Sequence, residues 1–237
     1  MPDAPGMRVL DIGCGVGDVT MLVAQLVGPQ GKVTAIDFDQ ASIATARKRT
    51  SAVGLDNTTF HRADVSTLAT IEPFDAIVGR LVLEFLPDPA ATISRLSGSL
   101  RPGGIMAFQE PSWNVWLAHT SHLPLRMAAT KILRDAFVAS GANTEMALPL
   151  YRGVIAANLT SPQLRVMLPT GNTPEFRGLL YDLLLAVWER ADALGLPLDS
   201  LGDPTTLASR LDDELDACRS FASFVCLVGV FARKRTD

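Results

Sequence analysis

The feature that most constrains this chain is the glycine-rich stretch DIGCGVGD at positions 11–18. It lies between apolar residues typical of a strand, at 7–12, and a helical pattern at 18–27. This order predicts strand, turn and helix, an arrangement in which an α/β sheet presents backbone N–H groups and a helix N-terminus to a ligand. A largely parallel α/β fold is therefore the first expectation.

The glycine spacing disfavours two common ligand classes. Asp18 occupies the position that would complete a Gly-x-Gly-x-x-Gly fingerprint. Dinucleotide sites use that third glycine for close helix–strand packing, so NAD or FAD binding is disfavoured. The sequence also lacks the Gly-x-x-x-x-Gly-Lys-[Ser/Thr] motif that cradles phosphates. Asp11, just before the glycines, suits a ligand with a positive end, and an ordinary tight turn is the alternative.

Acidic residues also end two further predicted strands. Asp37 ends a strand predicted at 32–37, and Asp64 follows one predicted at 58–63. The distance from Gly17 to Asp37 is close to that at which an acid on the second strand meets a ribose hydroxyl. Taken singly, each acid could instead be an ordinary turn residue. Their shared place at the carboxyl ends of successive strands favours ligand binding.

These features resemble, in order and spacing, the class I S-adenosylmethionine (SAM)-dependent methyltransferases. The resemblance extends to the strand FDAIVGR at 74–80 and to the turn and strand LRPGGIMAF at 100–108. The stretches PGMRVL at 5–10 and LVLEFLPDP at 81–89 are similar to the methyltransferase-11/12-like, ubiquinone-type branch that acts on small molecules. The resemblance implies an α/β fold with a Rossmann-like, doubly wound, seven-stranded sheet whose last strand is antiparallel.

The second half of the chain has a different pattern. Helices are predicted at about 121–140, 146–159, 174–194 and 204–218, with strands at 164–168 and 222–233. The resemblance implies a single methyltransferase domain over residues 1–237, with a cofactor-binding half at 1–110. The segments at about 112–140 and 174–218 are then expected to form a helical cap insertion over the acceptor site.

The resemblance also implies a cofactor, SAM, and a product, S-adenosylhomocysteine (SAH). Asp37 would hold the ribose hydroxyls, and Asp64 would lie beside the adenine. Arg80 would either contact the methionine carboxylate or brace the end of its strand. The cofactor-binding residues implied in this way are Asp11, Gly13, Gly15, Gly17, Asp37, Phe38, Ala63, Asp64, Val65 and Arg80.

The candidate catalytic groups follow the fifth strand. Glu110 ends that strand, and His119 and His122 come shortly after it. Histidine titrates near neutral pH and is a natural proton acceptor for a hydroxyl, although a structural role is an open alternative for each of the three. Their neighbours Trp113, Trp116 and Arg126 are the expected acceptor-binding residues.

Metal-dependent members of the family bind a divalent cation through acids at the end of the fourth strand. This chain has Gly79, Arg80 and Leu81 at that place. A metal-dependent mechanism is therefore disfavoured, and no metal site is assigned.

The composition of the chain limits the kinds of partner that it is expected to bind. A net charge of −4 disfavours nucleic acid, whose binders usually carry a clustered basic face. No apolar run approaches the roughly 18 residues that a membrane span needs. The three cysteines lack Cys-x-x-Cys spacing and are expected to be reduced, and no signal peptide precedes the first strand, so the expected location is cytoplasmic. A hydrophobic content of 48% suggests an apolar pocket, an oligomer interface such as that of a homodimer, or both.

Two classes of function remain open. The favoured one is metal-independent methyl transfer from SAM to a small, rather apolar metabolite, at an oxygen, nitrogen or carbon atom that the sequence does not specify. The alternative is a non-methylating member of the fold, in which bound SAM serves structurally or electrostatically. Methylation of a protein or tRNA is a weaker alternative, disfavoured by the acidic balance of charge.

Overall fold

The structure is a computed structural model that describes residues 4–68 and 73–236. The chain divides into two compact units. The first comprises Met1–Glu110, Ala147–Arg165 and Gly229–Asp237, and the second comprises Pro111–Met146 and Val166–Val228. No described helix combines the length and the apolar character needed to cross a membrane.

Nine strands are present in the described residues, and seven of them form one sheet. Its order is β3-β2-β1-β4-β5-β9-β6, and β9 runs antiparallel to both of its neighbours. The predicted fold class, a Rossmann-like seven-stranded sheet with an antiparallel last strand, is confirmed. The strands are β1 (Arg8–Ile12), β2 (Lys32–Asp37), β3 (Thr58–Arg62), β4 (Phe74–Arg80), β5 (Leu100–Ser112), β6 (Leu159–Met167), β7 (Thr170–Gly171), β8 (Ala222–Ser223) and β9 (Cys226–Lys234).

Eight α-helices accompany these strands among the described residues. In the first unit, α1 places Val23 and Val27 against Val9 of β1 and Val33 of β2. Strands of a parallel sheet are covered on both faces, which explains why their apolar runs are nearly continuous. The helices are α1 (Asp18–Val27), α2 (Gln40–Ala52), α3 (Pro89–Gly98), α4 (Trp113–His119), α5 (Pro124–Ala139), α6 (Ala147–Ala156), α7 (Pro174–Ala193) and α8 (Leu207–Ala217).

The predicted turn before β5 is instead a bulge within that strand. In the β4–β5 pairing, Phe74 lies opposite Leu100, but Ala76 lies opposite Ile105. Extra residues of β5 are therefore looped out between the two pairs. Gly103 lies in this bulge at a φ of +75°, a conformation that residues with a Cβ rarely adopt.

The second unit contains α4, α5, α7 and α8, together with the short antiparallel pair β7–β8. The helix predicted at about 121–140 is confirmed as α5, whereas the short helix α4 before it was not predicted separately. Pro124 lies in the first turn of α5, where its missing N–H costs no hydrogen bond. The strand predicted at 222–233 is divided into β8 and β9.

Candidate cofactor site

A cavity of about 630 Å³ lies in the first unit, where the chain leaves β1, β2, β3 and β4 at their carboxyl ends. Most of the predicted cofactor-binding residues line it, whereas Asp11, Gly17 and Ala63 do not. The predicted residues that the cavity brings together are Gly13, Gly15, Asp37, Phe38, Asp64, Val65 and Arg80.

Two glycines of the 11–18 loop have different surroundings. Gly13 and Gly15 both have positive φ, at +62° and +51°. A Cβ at Gly13 would collide with the side chain of Val82, so Gly13 allows close packing within the protein. A Cβ at Gly15 would meet no described atom within 4 Å. Gly15 therefore faces open space in the cavity wall.

Asp37 joins the end of β2 to the glycine loop. Its Oδ2 accepts the backbone N–H of Gly15 at 2.8 Å, and its Oδ1 accepts that of Asp39 at 2.9 Å. The side chain is largely buried yet lines the cavity. A carboxylate has about four acceptor sites, so these two bonds leave acceptor capacity for a ligand.

Asp11 is a buried carboxyl group with incomplete hydrogen bonding. Its Oδ2 accepts from the Thr20 hydroxyl at 2.5 Å, and its Oδ1 has no hydrogen-bond partner among the described residues. Burial raises the pKa of Asp11 to about 7, and the Thr20 hydrogen bond and the charge of Arg80 offset part of that rise. The group is therefore close to balance between its neutral and charged forms near neutral pH.

Part of the cavity wall is polar. Asp64 accepts both the N–H and the hydroxyl of Ser66 at 2.7 Å, and these bonds hold the pKa of Asp64 below its usual value. Arg80 lies 3.6 Å from Asp18, which also pairs with Arg49 at 2.8 Å. The choice between bracing and ligand contact for Arg80 stays a prediction.

One cysteine belongs to the cavity wall. Cys14 lines the cavity, and burial raises the pKa of its thiol to about 12. Cys226 is also buried and free, and burial raises its thiol pKa as well. Cys218, also free, is exposed.

Glu110 is completely buried, and its carboxylate accepts hydrogen bonds from backbone N–H groups. It accepts the N–H groups of Val82, Leu83 and Glu84 at 3.2, 3.0 and 3.2 Å. Burial raises the pKa of Glu110 to about 7, while these three bonds lower it in part. Its predicted catalytic role stays a prediction.

Sequence reasoning missed the segment after β4. Val82, Phe85 and Leu86 line the cavity, and the buried Glu84 lies among them in the chain. Burial, followed by the charge of Glu110, raises the pKa of Glu84 to about 8. An acid inside an apolar run was the available signal, because glutamate is rarely buried without a specific reason.

The two candidate histidines lie in the second unit, and each is close to a serine. His119 Nδ1 is 3.0 Å from Ser223 Oγ, and His122 Nε2 is 2.9 Å from Ser220 Oγ. Both serines are about 100 residues further along the chain. These contacts join α4 and the loop after it to the region of β8, and the proposed role as a base stays a prediction.

The three predicted acceptor-binding residues are buried in the same unit. The rings of Trp113 and Trp116 lie 5.4 Å apart between their centroids. Arg126 donates to the backbone carbonyls of Leu211 and Arg177 at 3.4 and 3.1 Å, and burial lowers its pKa. Within the second unit these contacts are structural, and a role in acceptor binding stays a prediction.

Three buried carboxyl groups make the stability of the folded chain depend on pH. The pKa values of Asp11 and Glu110 are about 7 and that of Glu84 is about 8, whereas in an unfolded chain such groups titrate near 4. Between these values the folded state binds more protons than the unfolded state, so the free energy of unfolding falls as pH rises. We expect a slope of up to about 1.4 kcal/mol per pH unit for each group titrating in this window.

Thermal unfolding followed by circular dichroism from about pH 5 to about pH 8 measures this effect. The melting temperature should fall with rising pH, and Asp11→Asn should make the fall less steep. Asp64→Asn is the matched control, because this exposed carboxyl has a lowered pKa and titrates below the window. A melting temperature that rises through the window contradicts the prediction.

Comparison with known proteins adds a family and several relatives. A family described as methyltransferase domain matches residues 3–148. A trans-aconitate 2-methyltransferase of Rhizobium leguminosarum is 36% identical over 122 residues, 52% of this chain and 44% of the relative. Aklanonic acid methyltransferase DauC of a Streptomyces species is 38% identical over 107 residues, 45% of this chain and 49% of the relative. The chain therefore spans about half the length of the curated relatives it matches.

Solved structures share the fold at low sequence identity. A Bacillus halodurans protein assigned as a methyltransferase superposes with a TM-score of 0.68 at 18% identity, over 99% of this chain and 94% of the other. Haemonchus contortus phosphoethanolamine N-methyltransferase 2, in complex with S-adenosyl-L-methionine, gives 0.60 at 17%, over 99% and 50%. At these identities the likeness establishes the fold alone. Because the family match extends over more than half of the sequence, the chain belongs to the methyltransferase-domain family.

Proposed function

We propose that this chain binds SAM in the cavity of the first unit and transfers the methyl group to a small, rather apolar acceptor. The proposal is carried by one observation: an open glycine, Gly15, and a carboxylate bonded to it, Asp37, share the wall of a single cavity. That cavity lies at the carboxyl ends of parallel strands, where open α/β sheets bind their ligands. The names of the relatives support methyl transfer to a small molecule.

The charge of the cavity wall suits this cofactor. The carboxylates of Asp18, Asp37 and Asp64 and the guanidinium of Arg80 are among the lining residues. SAM carries a positive sulfonium and an ammonium group, so a wall with an excess of negative charge stabilises it. The ring of Phe38 is 73% exposed and offers an apolar face to the adenine.

Two positions would hold the ribose end of the ligand. The free acceptor sites of Asp37 suit the two vicinal hydroxyls. The missing side chain of Gly15 leaves room for the ligand to approach the backbone closely. The hydrogen bond between Gly15 and Asp37 keeps these two groups in a fixed relation.

When bound, SAM supplies an electrophilic methyl group that an acceptor nucleophile takes by in-line displacement. The protein contributes orientation and exclusion of water. Val82, Phe85 and Leu86 give part of the wall an apolar surface, which favours a neutral, apolar acceptor over a highly charged one. A proton acceptor is needed only for a weak nucleophile, and His119 and His122 are the candidates that we retain.

Transfer of labelled methyl groups tests the proposal. The purified chain is incubated with methyl-labelled SAM and a metabolite extract, and a parallel reaction contains trans-aconitate, a highly charged acceptor that should receive little label. We expect label in a small-molecule fraction both with and without EDTA. If His119 or His122 is the base, its substitution by asparagine should lower the rate of methyl transfer without changing SAH affinity. SAM binding without transfer to any fraction would favour a non-methylating role, and the absence of SAM and SAH binding in calorimetry would defeat the proposal.

A further inference from the structure

The chain leaves β4 through a strained turn that needs external hydrogen-bond acceptors. Leu81 has a φ of +55°, in the left-handed region that residues with a side chain rarely adopt. Its N–H donates to the carbonyl of Gln109 on β5 at 2.9 Å. The next three N–H groups, of residues 82–84, open a 3-10 turn, and such groups have no partner inside their own turn.

Glu110 supplies the acceptors for all three groups from the neighbouring strand. Both of its carboxylate oxygens take part. Burying a carboxylate completely is costly, and the rise of its pKa to about 7 reflects that cost. An ordinary exposed turn could satisfy the same N–H groups with water. The buried acid therefore indicates a need to fix this turn in one place.

The residue fixed most directly is Val82, which fills space left by two glycines. A Cβ at Gly13 would collide with the Val82 side chain, and a Cβ at Gly79 would lie 3.0 Å from Val82 Cγ1. Val82 thus packs against both the glycine loop after β1 and the end of β4. It also lines the cavity, as do Gly13 and Phe85.

We propose that Glu110 is a positioning residue for the cofactor cavity. Its carboxylate holds the turn at 82–84, the turn holds Val82 against Gly13, and this contact fixes the wall formed by the glycine loop and the segment after β4. Glu110 itself does not line the cavity and acts through Val82. The inference rests on the proposed function for the identity of the ligand.

Glu110→Gln tests this chain of contacts. The amide keeps one acceptor oxygen and turns the other into a donor that faces a backbone N–H. We expect faster hydrogen exchange at the amides of 82–84, unchanged protection at Ile77 and Met106 in the strand cores, and SAH binding weakened by about ten- to a hundredfold. A general loss of stability would instead raise exchange throughout the sheet.

Glu84→Gln is the matched control. It makes the same chemical change in a neighbouring buried glutamate, whose Oε2 has no partner among the described residues. We expect exchange at 82–84 and SAH affinity to stay within about twofold of the wild-type values, since the bonds from Glu110 remain. An equal loss of affinity in both variants would attribute the effect to buried charge in general and overturn the inference.

The remaining outcomes separate this inference from the proposed function. Failure of the wild-type protein to bind SAH overturns the proposed function. Wild-type binding together with unchanged affinity in Glu110→Gln overturns only the positioning role. If Glu110→Gln does not fold, hydrogen exchange in the wild-type protein tests the inference. Amides of 82–84 that exchange as fast as those of an open loop overturn it, and slow exchange at these amides supports it.

Discussion

A Gly15→Val protein is expected to fold and to lose SAH affinity by at least about a hundredfold. A side chain at this position meets no described atom within 4 Å, so it enters the open cavity and does not clash with the protein. The positive φ makes a β-branched residue costly there, by about 1–2 kcal/mol, which a folded domain tolerates. Occupying the space of a close-approaching ligand has the larger effect.

Gly54→Val is the control for backbone strain. Gly54 also has a positive φ, of +70°, and a Cβ there would likewise meet no described atom within 4 Å, but this glycine does not line the cavity. Both variants should lose similar stability in thermal unfolding, and only Gly15→Val should lose SAH binding in calorimetry. Normal binding by Gly15→Val would mean that the glycine loop is only a tight turn.

Asp37→Ala is expected to weaken SAH binding by about tenfold to several hundredfold. The substitution removes the acceptors proposed for the ribose hydroxyls, and hydrogen bonds to a charged group contribute about 1.5–3 kcal/mol each. It also releases the N–H of Gly15, which loosens the loop that the ligand approaches. Asp37→Asn keeps one carbonyl acceptor and should have an intermediate affinity.

Asp39→Ala is the matched control for this substitution. Asp39 accepts the N–H groups of Ala41 and Ser42 at the start of α2 and lies outside the cavity wall. Its loss should lower the melting temperature by weakening the helix cap but leave SAH affinity unchanged. Calorimetry of the three variants decides the matter, and full affinity in Asp37→Ala would contradict the proposed position of the cofactor.

The first half of the fold is predictable from sequence because each strand has a local signal at its end. The glycine loop after β1 and Asp37 at the end of β2 mark strand termini, and parallel topology places such termini at one edge of the sheet. The cavity residues that follow from this rule were predicted. In the second half, the local sequence signals that mark where helices and strands begin and end are weaker. Pro124 suits the first turn of a helix, and the helix predicted at about 121–140 is present as α5, but no comparable signal marks the start of the shorter helix α4.

The rest of the candidate site depends on contacts between distant segments, which periodicity does not reveal. The bonds from Glu110 to residues 82–84 join segments more than 25 residues apart. The serines beside His119 and His122 lie about 100 residues away in the sequence. Residue type suggested candidates in both cases, but the partners of each side chain are set by tertiary packing.

The unequal environments of the three cysteines make the chain suitable for single-site labelling. Only a thiolate reacts readily with maleimides, and burial keeps Cys14 and Cys226 in the thiol form well above neutral pH. Cys218, just after α8, is exposed and free. A fluorophore added near neutral pH should therefore attach at Cys218, leaving the thiol in the cavity wall unmodified and the cavity open to titration with a ligand.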